Sequence, residues 1–165
     1  MSYHIYTTRG VVLAERPMRE ADRVYSILTR DFGLIRATAT GVRKEASKLR
    51  GALEPFVLSS ISLVRGKEYW RLTSAESIQN ISSAPAIARP LALLEKLVQG
   101  EAHHSELFDA VEQSIIVPEA NNEMFEIRLV SIILFHLGYL KESDLTLDKK
   151  ALIKAINEGL QASHL

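Results

Sequence analysis

The sequence predicts a β + α protein: a small five-stranded barrel over residues 1–80, then a small all-helical domain over residues 81–165. Three observations predict it. Five short runs rich in β-branched and aromatic residues, parted by glycine- or proline-marked bends, fall within about 75 residues. After Ser74 the texture changes, and apolar residues recur at helical spacing between proline and glycine stops. Charge divides in the same place. Residues 1–80 carry 13 Lys and Arg against 8 Asp and Glu, whereas residues 81–165 carry 7 against 12. The net charge of zero hides this asymmetry, which points to a polyanion partner for the first part. Mutual attraction of the two halves is the plainer alternative.

The first strand is read over His4–Ala14, with Gly10 as a bulge or bend and Pro17 as its end. In the loop that follows, Arg16, Arg19 and Arg23 alternate with Glu15, Glu20 and Asp22, and Glu20 and Asp22 read as solvated, salt-bridged residues. Val24–Thr29 and Leu34–Thr40 form a hairpin turned at Arg30-Asp31-Phe32-Gly33, where Gly33 can take a positive φ. A basic loop follows, Val42 to Gly51, with Arg43, Lys44, Lys48 and Arg50 against Glu45 alone. Leu53–Val64 reads as a long fourth strand, Arg65-Gly66-Lys67 as a basic turn, and Glu68–Thr73 as the fifth strand. Closing these strands on one another would remove most exposed edges.

Ser82-Ser83-Ala84-Pro85 reads as a junction, and Pro90 as a residue that opens or kinks a helix over Leu91–Gln99 stopped by Gly100. Ser105–Ile116 is the next helix, closed by Pro118. Asn121 or Asn122 caps a helix over Glu123–Leu137, with Phe125, Leu129, Ile132, Ile133 and His136 on one stripe and Gly138 as terminator. Asp148 caps a last helix that turns Leu152, Ala155, Ile156 and Leu160 inward. Four such stripes must be buried against something.

An apolar content of 47% is enough for a real core. The absence of cysteine removes disulfides and cysteine-based zinc sites and fits a reducing compartment. Met1–Ile5 has no secretory pattern and no apolar run reaches a membrane span, so a cytoplasmic location without membrane contact is expected. No nucleophile elbow, phosphate loop, dinucleotide fingerprint or zincin motif is present. His103-His104 diverge on a helix and read as a surface pair, and His136 as a core histidine. No metal site, cofactor or enzyme activity is expected.

What remains is binding chemistry. Small barrels bind nucleic acid by neutralising phosphates and stacking bases. The candidates for phosphate are Arg36, Arg43, Lys44, Lys48, Arg50, Arg65, Lys67 and Arg71, with Tyr69 on the face of Arg71 as a platform. Trp70, on the other face, reads as core. Engaging about six of these cations on a single strand would give a salt slope near −4. No carrier of base-edge readout is evident, so binding should depend weakly on sequence. An RNA-binding module and a protein-interaction adaptor gripping an acidic peptide are the alternatives.

The same residues resemble a family. Arg16-Pro17, Glu20-Ala21-Asp22-Arg23, Leu28-Thr29-Arg30, Phe32-Gly33, Ala39-Thr40-Gly41-Val42-Arg43, Ser47-Lys48-Leu49 and Leu53-Glu54-Pro55-Phe56 together are similar to the RecO recombination mediators. Arg65-Gly66, Leu72-Thr73-Ser74-Ala75-Glu76, Phe125-Glu126-Ile127-Arg128-Leu129 and Leu137-Gly138-Tyr139-Leu140 extend the likeness over most of the chain. The resemblance implies an OB-fold followed by a helical domain. It implies binding of single- and double-stranded DNA and annealing of complementary strands. It also implies partnership with a RecR-like protein and the acidic tail of single-strand binding protein, assisting RecA loading. One departure stands out. Many members carry a four-cysteine zinc element soon after the Gly-Tyr-Leu segment, and here Lys141-Glu142-Ser143-Asp144 follows. Zinc in its usual form is not expected, and the helical domain reads as a reduced one.

Overall fold

The computed structural model describes residues 3–42, 47–81, 85–116 and 123–165. The chain folds as two compact units, Met1–Ile81 with Gln99–Ser105, and Ser82–Val98 with Glu106–Leu165. The segment Gln99–Ser105 thus groups with the first unit although it follows a helix of the second.

The first unit is a closed barrel of β1 (Ile5–Pro17), β2 (Arg23–Thr29), β3 (Gly33–Ala39), β4 (Val57–Val64) and β5 (Trp70–Asn80). The strand order around the barrel is β1-β2-β3-β5-β4. All neighbours are antiparallel except β3 and β5, which pair in parallel through only Ala37–Trp70 and Thr38–Arg71. This is an OB-type barrel, as expected. Inward residues alternate along each strand, and Val12, Tyr25, Ile27, Ile35, Ile61 and Leu72 fill the interior. One end is closed by an aromatic cluster, in which Tyr6 meets Phe32 and Trp70 edge-on with ring centroids 5.5 and 5.4 Å apart. Trp70 is core, 4% exposed.

Several boundaries differ from the sequence expectation. Gly10 is no break: β1 runs through it, and the irregularity falls between Val12 and Ala14. Gly10 faces inward, where a Cβ would lie 2.7 Å from Ile27 Cγ2, so the position needs the missing side chain for packing. Pro17 still pairs with Arg23, as a proline at the end of a strand can. Leu53–Phe56 is not strand. Gly51–Leu53 forms a 3-10 turn that buries Leu53 in the barrel, and Phe56 reverses the chain at φ 64°. β5 runs seven residues past Thr73 to Asn80, because β4 supplies a pairing partner as far as Val57. Its last five residues are exposed and polar apart from Ile78, which hid the strand from hydropathy.

The hairpin of β2 and β3 turns as expected. Gly33 has φ +66°, and Thr29 Oγ1 donates to the Gly33 carbonyl at 2.8 Å while accepting the Phe32 N–H at 3.1 Å. A Cβ at Gly33 would lie 2.1 Å from the Ala102 carbonyl oxygen. Glycine there serves both the turn and the close seating of segment Gln99–Ser105.

The second unit contains α1 (Pro85–Leu97), α2 (Ser105–Ile115), α3 (Glu123–His136) and α4 (Lys149–Ala162). Ser105 opens α2 while grouping with the first unit. α1 starts at Pro85, a turn and a half before the expected Leu91, and holds Pro90 within it. Proline at the first helical position is favourable, whereas Pro90 lies inside the helix and lacks the N–H that would bond the Ala86 carbonyl. α3 differs more. Ile127, Leu129, Ser131, Ile133 and Leu134 are buried, whereas Phe125, Ile132 and His136 are only half-buried. A helix apolar on most sides has no single stripe, so the expected one was misplaced. Arg89 of α1 reaches both carboxylate oxygens of Glu126 on α3, at 2.7 and 2.6 Å. Ile127, Leu134, Leu140, Leu152 and Ile156 form a core shared by α3 and α4. Asp148 caps α4 as expected, its Oδ1 accepting the Ala151 N–H at 2.9 Å. Where the family resemblance would place a zinc element, Glu142–Thr146 forms a 3-10 turn, and the Asp144 carboxylate accepts the Lys141 N–H at 2.8 Å. The expected caps Asn121 and Asn122 lie outside the described residues. Among the described residues no helix is long and apolar enough to cross a membrane.

Candidate nucleic-acid interface

Strand register builds the site. Arg16 on β1 pairs with Val24 on β2, Val24 with Thr38 on β3, and Thr38 with Arg71 on β5. These four side chains form one row on the outside of the barrel, because their chain neighbours Tyr25, Ala37, Ala39, Trp70 and Leu72 are buried. Arg36 stands in a second outward row, opposite Ser26. The loop after β1 brings Met18 to one rim, and the loop after β4 brings Arg65 to Tyr69 to the other.

Between these rims lie two open hollows. One, of about 740 Å³, is lined by Tyr3, Met18, Thr38, Arg65, Gly66, Lys67, Glu68, Tyr69 and Arg71. The other, of about 340 Å³, is lined by Arg16, Pro17, Met18, Val24, Ser26, Arg36 and Tyr69. Met18 and Tyr69 belong to both, so the hollows make one groove across β1, β2, β3 and β5. Among the described residues Arg16, Arg36, Lys67 and Arg71 have no salt-bridge partner. Arg71 lies over the Tyr3 ring, 5.7 Å from its centroid. Arg65 differs: its Nη1 donates to Glu101 Oε2 at 2.5 Å, and its guanidinium lies 4.5 Å from the Trp70 ring centroid.

The structure therefore brings together five of the nine expected site residues: Arg36, Arg65, Lys67, Tyr69 and Arg71. Arg50 lines a separate cleft of about 540 Å³ with Glu15, Arg23, Tyr25, Val42, Glu54 and Pro55. There Arg23 is bridged to Glu15, and that hydrogen bond raises the guanidinium further above its usual pKa. Burial, and then the Glu15 charge, push the Tyr25 phenol above its usual pKa, partly countered by Arg23. Lys48 is exposed and lines neither groove nor cleft. Arg43 and Lys44 lie outside the described residues.

Sequence reasoning missed Arg16, Tyr3 and Met18 as lining residues. Arg16 was visible beside Pro17, but only the register across four strands sets it in line with Arg71. Asp22, read as a solvated loop residue, instead accepts the Gly41 N–H on Oδ1 at 2.8 Å. Its carboxylate is a brace between two loops, because the loop folds back on itself with Asp22 O accepting the Met18 N–H at 3.1 Å.

A groove with unpaired cations along a sheet, the exposed Tyr3 at its edge and the half-buried Tyr69 between its hollows can neutralise phosphates and stack bases. It lies over strands 2 and 3 and beside the loops after β1 and β4, the surface OB barrels use for oligonucleotides and oligosaccharides. Residues 1–81 match the family model for the recombination protein O N-terminal domain. The chain is 42% identical over 100 residues to the DNA repair protein RecO of a Synechococcus strain, an alignment covering 57% of this chain and 35% of that protein. It is 44% identical over 77 residues to the same-named protein of a Dehalococcoides mccartyi strain, covering 47% and 30%. With that of Gloeobacter violaceus it shares 31% identity over 132 residues, covering 80% of this chain and 47% of that protein. The chain thus spans about a third to a half of the length of the curated relatives it matches.

Proposed function

Because the chain belongs to the RecO family, we propose that its barrel binds DNA along the groove between Arg16, Arg36, Lys67 and Arg71. The observation that carries the reading is the alignment of four unpaired cations with Tyr3 and Tyr69 over adjoining strands. Residues 1–80, with Gln99–Ser105 grouped to them, act as the nucleic-acid domain and the rest of residues 81–165 as a helical domain for protein contacts. The role is that of a DNA repair and recombination mediator without chemistry of its own. A cationic surface that shields phosphates lowers the repulsion between two strands, so annealing of complements follows from electrostatics. Lys48 and Arg50, with Arg43 and Lys44 of the same basic stretch of sequence, serve as a second set of phosphate contacts. The family reading supplies the partners: single- and double-stranded DNA, a RecR-like protein, the acidic tail of a single-strand binding protein, and RecA indirectly.

The test is single-stranded DNA affinity across a salt series. Four groove cations predict a log–log slope of roughly −3. Lys67→Glu with Arg71→Glu should weaken binding at least tenfold and flatten the slope by more than one, whereas Lys48→Glu with Arg50→Glu should act less. An RNA strand that binds far tighter than DNA of the same sequence, or a groove reversal without effect, would overturn the reading.

A further inference from the structure

We propose that the Glu101 carboxylate occupies a phosphate subsite, made by the Arg65 guanidinium and the Trp70 indole N–H, and that a strand phosphate displaces it on binding. The proposal rests on the groove being a nucleic-acid interface. Glu101 uses one oxygen for each donor: Oε2 accepts from Arg65 Nη1 at 2.5 Å, and Oε1 accepts from Trp70 Nε1 at 2.9 Å. Two donors converging on one tetrahedral or planar oxyanion suit a phosphate as well as a carboxylate. The Arg65 guanidinium is held over the same indole, 4.5 Å from its centroid, so its donors are already oriented.

The two donors need Glu101 unequally. Trp70 is 4% exposed, so its N–H requires an acceptor. Arg65 is more than half exposed and can turn to water instead. A neutral amide would satisfy Trp70. The negative charge therefore does nothing for the indole that an uncharged acceptor could not, and it acts mainly on Arg65. An ion pair this exposed holds weakly and is screened by salt, which lets a polyanion displace it. The backbone need not follow, since Ala102 is packed against Gly33 and only the Glu101 side chain has to swing. Arg65 lines the same hollow as Lys67 and Arg71, so the subsite continues the groove. Glu101 then lowers affinity for any ligand that cannot present an anion at this end.

The test uses the full chain and an oligothymidylate. Glu101→Gln keeps the acceptor for Trp70 and removes the charge, so the fold, followed by the melting curve and by fluorescence of the single tryptophan, should be unchanged. With no carboxylate to displace, the same Arg65–phosphate contact forms without first breaking an ion pair, which predicts about fourfold tighter binding at 0.15 M salt with the salt slope of the wild type. Arg65→Ala in the Glu101→Gln background should cancel the gain and flatten the slope by about 0.7. Unchanged affinity in Glu101→Gln, with Lys67→Glu and Arg71→Glu still weakening binding at least tenfold, would overturn this subsite and leave the groove intact. If the groove reversal is also without effect, the interface reading falls and the subsite falls with it.

Discussion

Asp22 Oδ1 accepts the Gly41 N–H at 2.8 Å, joining the loop after β1 to the turn that follows β3. The first of these loops brings Met18 to the rim of the groove, and the second leads into the basic loop. A hydrogen bond to a carboxylate contributes more than one between neutral groups. Asp22→Ala should therefore destabilise the protein by about 1 to 2 kcal/mol in urea unfolding, and Asp22→Asn, which keeps an acceptor, by less. Equal losses in the two variants would show that the bond itself contributes little.

Gly10 and Gly51 should respond oppositely to the same substitution. A Cβ at Gly10 would lie 2.7 Å from Ile27 Cγ2 and 3.3 Å from Ile61 Cδ1, both fully buried side chains, whereas nothing lies within 4 Å of a Cβ at Gly51. Gly10→Ala should cost about 1 to 3 kcal/mol through overpacking. Gly51→Ala should be neutral, or stabilising by up to about 1 kcal/mol through the unfolded chain. Denaturant midpoints at constant m-value decide both.

The barrel was legible because its signals are local. Gly33 announced the hairpin, and the alternation of Val24 to Thr29 with Leu34 to Thr40 fixed two strands. The end of β5 was not legible, since Ser74 to Asn80 reads as polar loop and becomes strand only through pairing with β4. The groove was half legible for a related reason. Lys67, Tyr69 and Arg71 are near in sequence, but Arg16 and Arg36 join them only through pairing across β1, β2, β3 and β5. The basic loop drew the sequence reading toward Lys48 and Arg50 by composition, yet Arg50 faces a cleft that also holds Glu15 and Glu54. The role of Glu101 had no sequence signal, because it depends on where Gln99–Ser105 lies in space.

Tyr25 should make stability fall at alkaline pH. The residue is 2% exposed, and burial, reinforced by the Glu15 charge, raises the pKa of its phenol in the folded protein. In the unfolded chain it titrates near its ordinary value of about 10. Above that pH the unfolded state binds fewer protons than the folded state, so the stability present below it is lost as pH rises through the folded pKa. Spectrophotometric titration should show one of the five tyrosines ionising late. Tyr25→Phe should remove that late step and lessen the loss of stability above pH 10.

Tyr69 and Tyr3 should separate single strands from duplex. Tyr3 is 61% exposed beneath Arg71, and Tyr69 lies where the two hollows meet, so both can offer a ring face within the cationic groove. Stacking needs an unpaired base, and it is worth about 1 to 3 kcal/mol per base when removed by alanine substitution. Tyr69→Ala should weaken oligothymidylate binding at least about fivefold while leaving duplex affinity within about twofold, because duplex bases offer no free face. Tyr69→Phe, which keeps the ring, should bind as the wild type does. The salt slope should stay the same in both variants, since neither removes a phosphate contact. Parallel losses on single strand and duplex would mean that Tyr69 shapes the groove and does not stack.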